Sequence, residues 1–311
     1  MSESKGVVYM LTGTSCAERL AVSLFTLRKH WDGPVTVMVD SDEDAKVAAL
    51  IAADDRAGID VQPFVRKDVQ WRHQAYIQKT LVPALTPYDR TAFFDADTAI
   101  VGDFSKLFNY DWVITSYSDW QSKGRRIANR CGWWYGRGDS RLQIDEMVDR
   151  VLADEVVVAE DGTGKVAWRL AAAGEVVRTT GYPAVNTGVV GFVKGCPLGD
   201  RWHKMTCAGE GTHMTDEIAM QLLYPFATEC EVAMLDDRFN HSPTYGKHPD
   251  DIRIIHFHGQ KHLKKQPGRS VWEPLLREAM AANFGGLRDW AGTWDKWVRA
   301  LLDGKDPATV R

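Results

Sequence analysis

The sequence predicts an α/β fold: a mostly parallel central sheet flanked by helices, with a smaller second region and a C-terminal helical segment. Three observations predict it. Short apolar runs alternate with segments of helical period over roughly the first hundred residues, the pattern of a parallel sheet covered by helices. The first run, Val7 to Leu11, is apolar throughout, as buried strands are. Small or acidic residues, Thr12-Gly13-Thr14, Asp40 and Asp95-Ala96-Asp97, stand at the carboxyl ends of those runs, where such sheets bind ligands.

Val7-Val8-Tyr9-Met10-Leu11 reads as the first strand and Thr12-Gly13-Thr14-Ser15 as the turn after it. Residues 16–31 carry Leu20, Leu24 and Leu27 at helical spacing, and Gly33-Pro34 stops that helix. Val35 to Val39 is a second strand ending in Asp40, residues 42–57 a helix, and Ile59-Asp60-Val61 a short third strand. A helix over 72–82 leads into Thr91-Ala92-Phe93-Phe94, a strand that ends at Asp95. Trp112-Val113-Ile114 is strand-like, 141–153 helix-like, and Gly174 to Arg178 begins a return to strand. Ala184 to Val193 is a strand broken by Asn186-Thr187-Gly188. Thr215 is the N-cap of a helix running to Tyr224, and Ile252 to Phe257 is the last strand.

The 311 residues can bury a sizeable core and show no internal repeat or clean linker. A net charge of -4 and a pI near 6.1 give no global pull toward nucleic acid or an anionic membrane, so a polyanion must be met by a local basic site. Cys16, Cys131, Cys196, Cys207 and Cys230 are scattered and form no Cys-x-x-Cys pair, which reads as free thiols in a reducing compartment. No signal peptide or apolar run of the ~20 residues a bilayer requires is visible, so the cytoplasm is the expected location. The 12 tryptophans fit either core filling or stacking on sugar rings. The stripe Leu287, Trp290, Trp294, Trp297, Leu301 is helical in spacing. It predicts a C-terminal amphipathic helix that docks on the protein's own core or meets a membrane surface or partner.

Asp95 and Asp97 carry the clearest chemistry. Two carboxylates two residues apart, just past a buried strand, suit a hard divalent cation, which takes carboxylates together with substrate phosphate oxygens. A bare Asp-x-Asp also occurs in solvated turns; its surroundings decide. Residues 93–108, Phe-Phe-Asp-Ala-Asp-Thr-Ala-Ile-Val-Gly-Asp-Phe-Ser-Lys-Leu-Phe, resemble the diagnostic segment of retaining GT-A glycosyltransferases of the glycogenin and bacterial lipooligosaccharide galactosyltransferase family. Four further landmarks resemble that family in its order: Lys79, Asn186-Thr187-Gly188, Thr215-Asp216-Glu217 and Ile255-His256-Phe257-His258-Gly259.

The resemblance runs from about residue 7 to residue 262. It implies a GT-A (Rossmann-like) domain over 1–285, with a nucleotide-binding half at about 1–110 and an acceptor-side half at about 111–285 facing a shared cleft, and a C-terminal helix and tail at 286–311. It implies transfer of a hexose from a UDP-sugar to an acceptor hydroxyl with Mn²⁺ or Mg²⁺, held by Asp95, Asp97 and His256. It places Lys79 near the donor phosphates and Asn186 with Gly188 beside the donor sugar. His256 also ends an apolar strand, where a ligand to a cleft metal belongs; His258 competes, and motif register favours His256.

After Gly259, the family's phosphate lysine falls on His262 and no Pro-Trp follows, so the role stays open between Lys261 and Lys264. Retaining transfer needs a group on the sugar face opposite the leaving group: Glu217 as nucleophile or charge stabiliser, with Asp216 on the sugar hydroxyls. The lipooligosaccharide-type enzymes carry Gln where this chain has Glu217, whereas the family that makes blood-group sugars has an Asp-Glu pair. Both carboxylates also suit a helix N-terminus. Thr12, Gly13, Thr14 and Ala96 are expected to approach the nucleotide, with Cys16 where the family stacks an aromatic residue on the base. Asn129, Trp133 and Trp134 are the candidate acceptor contacts. The acceptor itself is open between a glycan, a protein side chain and a modified nucleic-acid base. A sugar nucleotidyltransferase shares such a sheet, but Thr12-Gly13-Thr14-Ser15 lacks its basic glycine-rich loop. A catalytically silent carbohydrate-binding relative is the remaining alternative.

Overall fold

The computed structural model describes residues 3–64, 74–116, 156–160, 165–169, 185–208, 216–224, 227, 229–243, 250–257 and 268–310. The chain forms two compact units. Unit 1 is Met1–Arg66, Ala92–Ser105 and Asp236–Arg311; unit 2 is Lys67–Thr91 and Lys106–Leu235. The strands are β1 (Lys5–Leu11), β2 (Val35–Val39), β3 (Ile59–Pro63), β4 (Arg90–Phe94), β5 (Thr98–Ile100), β6 (Trp112–Ser116), β7 (Val156–Glu160), β8 (Lys165–Arg169), β9 (Val185–Val193), β10 (Val232–Leu235) and β11 (Ile254–His256). Seven of them form one sheet in the order β10-β6-β9-β4-β1-β2-β3; β11 pairs with β5, and β7 with β8. The fold is the expected α/β one, with a mostly parallel sheet and flanking helices.

In unit 1, β1 pairs in parallel with β2 from Val7↔Val35 to Leu11↔Val39, and β2 in parallel with β3. Val7, Val8, Tyr9 and Leu11 are fully buried, which explains the unbroken apolar run. Helix α1 (Ala17–Leu27) buries Leu20, Ala21, Leu24 and Leu27. It ends four residues before the expected 31, in turns closed by bonds from Lys29 N–H to Thr26 O and from His30 N–H to Leu27 O. Helix α2 (Asp42–Ala52) starts at Ser41, whose hydroxyl accepts from the Asp44 N–H, with Asp42, Glu43 and Asp44 in its first turn.

The helix expected over 72–82 is two short ones, α3 (Gln74–Lys79) and α4 (Val82–Leu85). Pro83, in the first turn of α4, has no N–H to continue an earlier helix, so the chain restarts there. In unit 2, β6 pairs antiparallel with β9 and in parallel with β10. Strand β9 is continuous where a break was expected, but its register slips between Val113↔Gly191 and Thr115↔Asn186. The irregularity therefore lies between Asn186 and Gly191, over residues 187–190, and overlaps the expected break only at Thr187 and Gly188. Gly191 is required by close approach: a Cβ there would lie 2.0 Å from the Leu107 carbonyl oxygen. The last strand is shorter than the expected 252–257. Among the described residues, helices α5 (Pro197–Ala208), α6 (Asp216–Leu223) and α7 (Gly268–Ala281) follow. Neither α5 nor α7 was legible in the sequence, and Pro274 inside α7 disguises its period.

The C-terminal stripe corrects a further expectation. It is not one amphipathic helix but α8 (Leu287–Trp290) and α9 (Lys296–Leu302). Gly292 at φ 78° leaves helical geometry, and the Asp295 carboxylate accepts from Trp297 and Val298 N–H to start α9 afresh. Leu287, Trp290 and Leu301 are buried, and Trp290 Nε1–H donates to Gly285 O. Glu18 of α1 accepts from Gly292 N–H at 2.9 Å, and burial pushes its carboxyl above the ordinary carboxylate range. Leu287, Trp290 and Leu301 are thus spent on the core of unit 1, while Trp294 and Trp297 are half-buried. Among the described residues, no helix is long and apolar enough to cross a membrane. Of the acceptor-side expectations, Asn129, Trp133, Trp134, the 141–153 helix and the strand from Gly174 lie outside the described residues. So do Thr215, His258, Gly259, Lys261 and Lys264.

Candidate metal and donor site

Strand β4 ends at Phe94, and the chain turns through Asp95-Ala96-Asp97 into β5. Thr98 closes that turn twice, donating its N–H and its hydroxyl to Asp95 O. Strand β11 then runs antiparallel to β5 with His256 opposite Thr98, and Phe257 N–H donates to Asp97 O. A three-residue ladder therefore delivers a histidine from position 256 to a turn at 95–97. His256 Nε2 lies 3.3 Å from Asp97 Oδ1 and 3.7 Å from Asp95 Oδ2.

Bonds of about 2.1 Å to one ion put neighbouring ligand atoms about 3 Å apart and opposite ones about 4 Å apart. Ligand atoms of the three side chains all lie within 4.8 Å of one another. Two carboxylates and an imidazole with this spread fit a divalent cation that mixes oxygen and nitrogen ligands. The imidazole is buried, while Asp95 and Asp97 keep 30% and 12% of their side chains exposed. The ligand set is anchored on one side and open on the other.

Polar residues that the sequence reading passed over hold this turn. Tyr9 Oη, Ser23 Oγ and Thr98 Oγ1 form a buried chain at 2.9 and 3.0 Å, and Thr98 passes it on to Asp95 O. Thr26 Oγ1 accepts from Ile100 N–H. Helix α1 thus supplies hydroxyls where β5 would otherwise need another strand. Burial pushes the Tyr9 phenol far up, so it stays a neutral donor or acceptor. The sequence did hold a signal, Ser23 and Thr26 on the apolar face of α1. Asn240 was also missed: its Oδ1 is 2.9 Å from His256 Nδ1, and both residues are buried.

Thr12-Gly13-Thr14 lies at the end of β1, with Thr12 and Thr14 half-buried and Gly13 exposed at φ 92°. The Gly13 N–H is taken by Asp44 Oδ2 at 3.1 Å, which also accepts from Ser41. Asp44 thereby pins the turn that was expected to approach the nucleotide. Cys16 follows; burial pushes its thiol up, the Arg19 charge pulls it down, and Asp97 pushes it up again.

In unit 2, Asn186, Thr187, Asp216, Glu217 and Lys79 come together. Lys79, at the end of α3, places Nζ 3.2 Å from Asp216 Oδ2. Thr187 Oγ1 donates to the same oxygen, Asn186 Nδ2 donates to Glu217 Oε1, and Asn186 Oδ1 accepts from Gly188 N–H at 2.8 Å. Trp202 Nε1–H donates to Asp216 O. Asp216 is 2% exposed, whereas Glu217, next along the helix, is half-buried. The Lys79 ammonium, which the resemblance sends to the donor phosphates, here serves a carboxylate.

Three solved structures align over nearly the whole chain. The WbbM bifunctional glycosyltransferase matches with a TM-score of 0.51 and 13% identity, over 90% of this chain and 52% of its own. The galactosyltransferase LgtC, in complex with donor and acceptor sugar analogues, matches at 0.50 and 14%, over 89% of this chain and 95% of its own. An LgtC active-site variant with glutamate in place of glutamine matches at 0.50 and 15%. The fold is GT-A. The chain spans about half the length of WbbM but nearly all of LgtC. No family model matches the sequence, and no curated protein does.

Proposed function

We propose that the chain is a metal-dependent glycosyltransferase that moves a hexose from a UDP-sugar to an acceptor hydroxyl with retention of anomeric configuration. One observation carries this reading: Asp95, Asp97 and His256 offer ligand atoms within 4.8 Å of one another, just past a central strand of a GT-A sheet. When bound there, a divalent cation would neutralise charge on the departing diphosphate. Asp95, Asp97 and His256 would hold it, while Thr12, Thr14 and Ala96 would offer main chain to the nucleotide and Gly13, its N–H held by Asp44, would let the turn approach it closely.

Lys261 or Lys264, after Gly259, is proposed for the outer phosphate. Asn186 and Gly188 are assigned to the donor sugar, and Asp216 to its hydroxyls. Glu217 is the carboxylate on the face opposite the leaving group. As nucleophile it would bond to the anomeric carbon while the bond to UDP breaks. The acceptor oxygen would then displace it, giving up its proton to the released diphosphate and leaving Glu217 as a free carboxylate. Lys79 is proposed for the donor phosphates, and its ion pair with Asp216 also keeps that carboxylate in place.

A screen of nucleotide sugars with and without Mn²⁺, read as thermal stabilisation and as release of UDP, tests the donor without knowledge of the acceptor. The expected result is Mn²⁺-dependent stabilisation by UDP and at least one UDP-sugar. Asp97→Asn is expected to remove it without changing the melting temperature of the metal-free protein. Equal UDP binding by Asp97→Asn in the presence of Mn²⁺ would sink the assignment.

A further inference from the structure

We propose that Asn240 is the positioning residue that makes His256 a metal ligand, by fixing the tautomer in which Nε2 offers a lone pair. The inference rests on the metal-dependent reading above and goes beyond it, because it concerns which ring nitrogen carries the proton. A neutral imidazole can put its hydrogen on either nitrogen, and the neighbours decide. Nε2 faces two carboxylates at 3.3 and 3.7 Å. Left to those neighbours, the ring would protonate Nε2 and donate that hydrogen to Asp97, which would bury the lone pair on the wrong side. Asn240 Oδ1, at 2.9 Å from Nδ1, reverses the choice. An amide oxygen can only accept, so the hydrogen goes to Nδ1 and Nε2 is left with its lone pair toward Asp95 and Asp97.

The backbone fixes Asn240 in this place. It follows the 3-10 turn Asp237–Phe239, and its own N–H returns to Asp237 O. The next residue bridges to β11: His241 N–H donates to Ile254 O, and His256 N–H donates to His241 O. Asn240 is 2% exposed and His256 3%, so neither water nor a rotamer change readily replaces the contact. Such partners of a ligating histidine typically carry 10–100-fold of metal affinity.

The test uses the full chain without metal, labelled with ¹⁵N at histidine, together with Mn²⁺ titrations followed by the paramagnetic resonance of free Mn²⁺. The wild-type spectrum should show His256 protonated at Nδ1; protonation at Nε2 overturns the proposal without any variant. Asn240→Leu should shift the proton to Nε2 and weaken Mn²⁺ binding about 10–100-fold. Asn240→Asp, which keeps an acceptor at Nδ1, should retain the wild-type tautomer and bind within a few-fold. An Asn240→Leu protein that folds, keeps the Nδ1 proton and binds Mn²⁺ as wild type does would overturn the inference. Failure of the wild type itself to bind Mn²⁺ would instead remove the metal-dependent reading beneath it.

Discussion

Asp216 in unit 2 and Asp95 with Asp97 in unit 1 are carboxylates handled in opposite ways. Asp216 is 2% exposed; it shares an oxygen between Lys79 and Thr187 and has Trp202 on its carbonyl. Asp95 and Asp97 keep 30% and 12% of their side chains exposed, with a buried imidazole behind them. The first arrangement pairs its charge within the protein. The second gathers negative charge on a turn held mainly through its backbone, by Thr98 on Asp95 O and Phe257 on Asp97 O. A group whose charge is paired internally resists removal. A partly exposed carboxylate on a turn held through its backbone can be replaced with less effect on the fold. Stability measurements therefore separate the two kinds of site.

The largest expected effect is in unit 2. Lys79→Met leaves Asp216 as an uncompensated buried charge, and losing one partner of a buried pair costs about 3–5 kcal/mol. Denaturant unfolding should show that loss as a fall in midpoint. Adding Asp216→Asn to Lys79→Met should recover much of it, because no unpaired charge remains. A Lys79→Met protein as stable as wild type would show that the pair is not what holds Asp216, and the contrast between the sites would lose its first half.

The two sites were not equally legible in the sequence. Asp95 and Asp97 announce themselves because they follow an apolar strand directly, and His256 because it ends one; each needs only local pattern. The lysine was legible as a residue but not in its partner: pairing Lys79 with Asp216 depends on a contact across 137 positions, the difference between the two residue numbers. The hydroxyl chain Tyr9–Ser23–Thr98 and the Asn240–His256 pair are unreadable for the same reason. Each is a polar atom placed by tertiary packing, and Ser, Thr and Asn have too many local uses to point to a distant partner. The strands β1, β2 and β4 were placed within two residues at either end, because a buried strand has no polar face to blur it. The C-terminal stripe misled for the converse reason. Its spacing is helical, but Gly292 and the Asp295 cap divide it, and spacing alone does not weigh a positive φ.

An intermediate effect is expected in unit 1 away from the carboxylates. Ser23→Ala removes the hydroxyl between Tyr9 and Thr98. It should destabilise the protein by about 1–3 kcal/mol, the cost of leaving buried polar groups unpaired. The same change should weaken Mn²⁺ binding only modestly, since Thr98 still closes the turn on Asp95 O. A loss of metal affinity without a loss of stability would place Ser23 in the metal site and not in its support.

The smallest expected stability effect is the most informative about function. Asp95→Asn in chelator should unfold within about 0.5 kcal/mol of wild type, as a partly exposed side chain away from core packing does. It should even gain slightly from relief of the repulsion between the two neighbouring carboxylates. With Mn²⁺ added, wild type should rise in midpoint by mass action on the folded state, and Asp95→Asn should rise far less. The gap between the two proteins should therefore open only when metal is present. A structural aspartate gives the reverse pattern, a gap in chelator that metal leaves unchanged. That outcome would show the Asp95 charge paired within the protein, as that of Asp216 is, and leave Asp97 as the open carboxylate of unit 1.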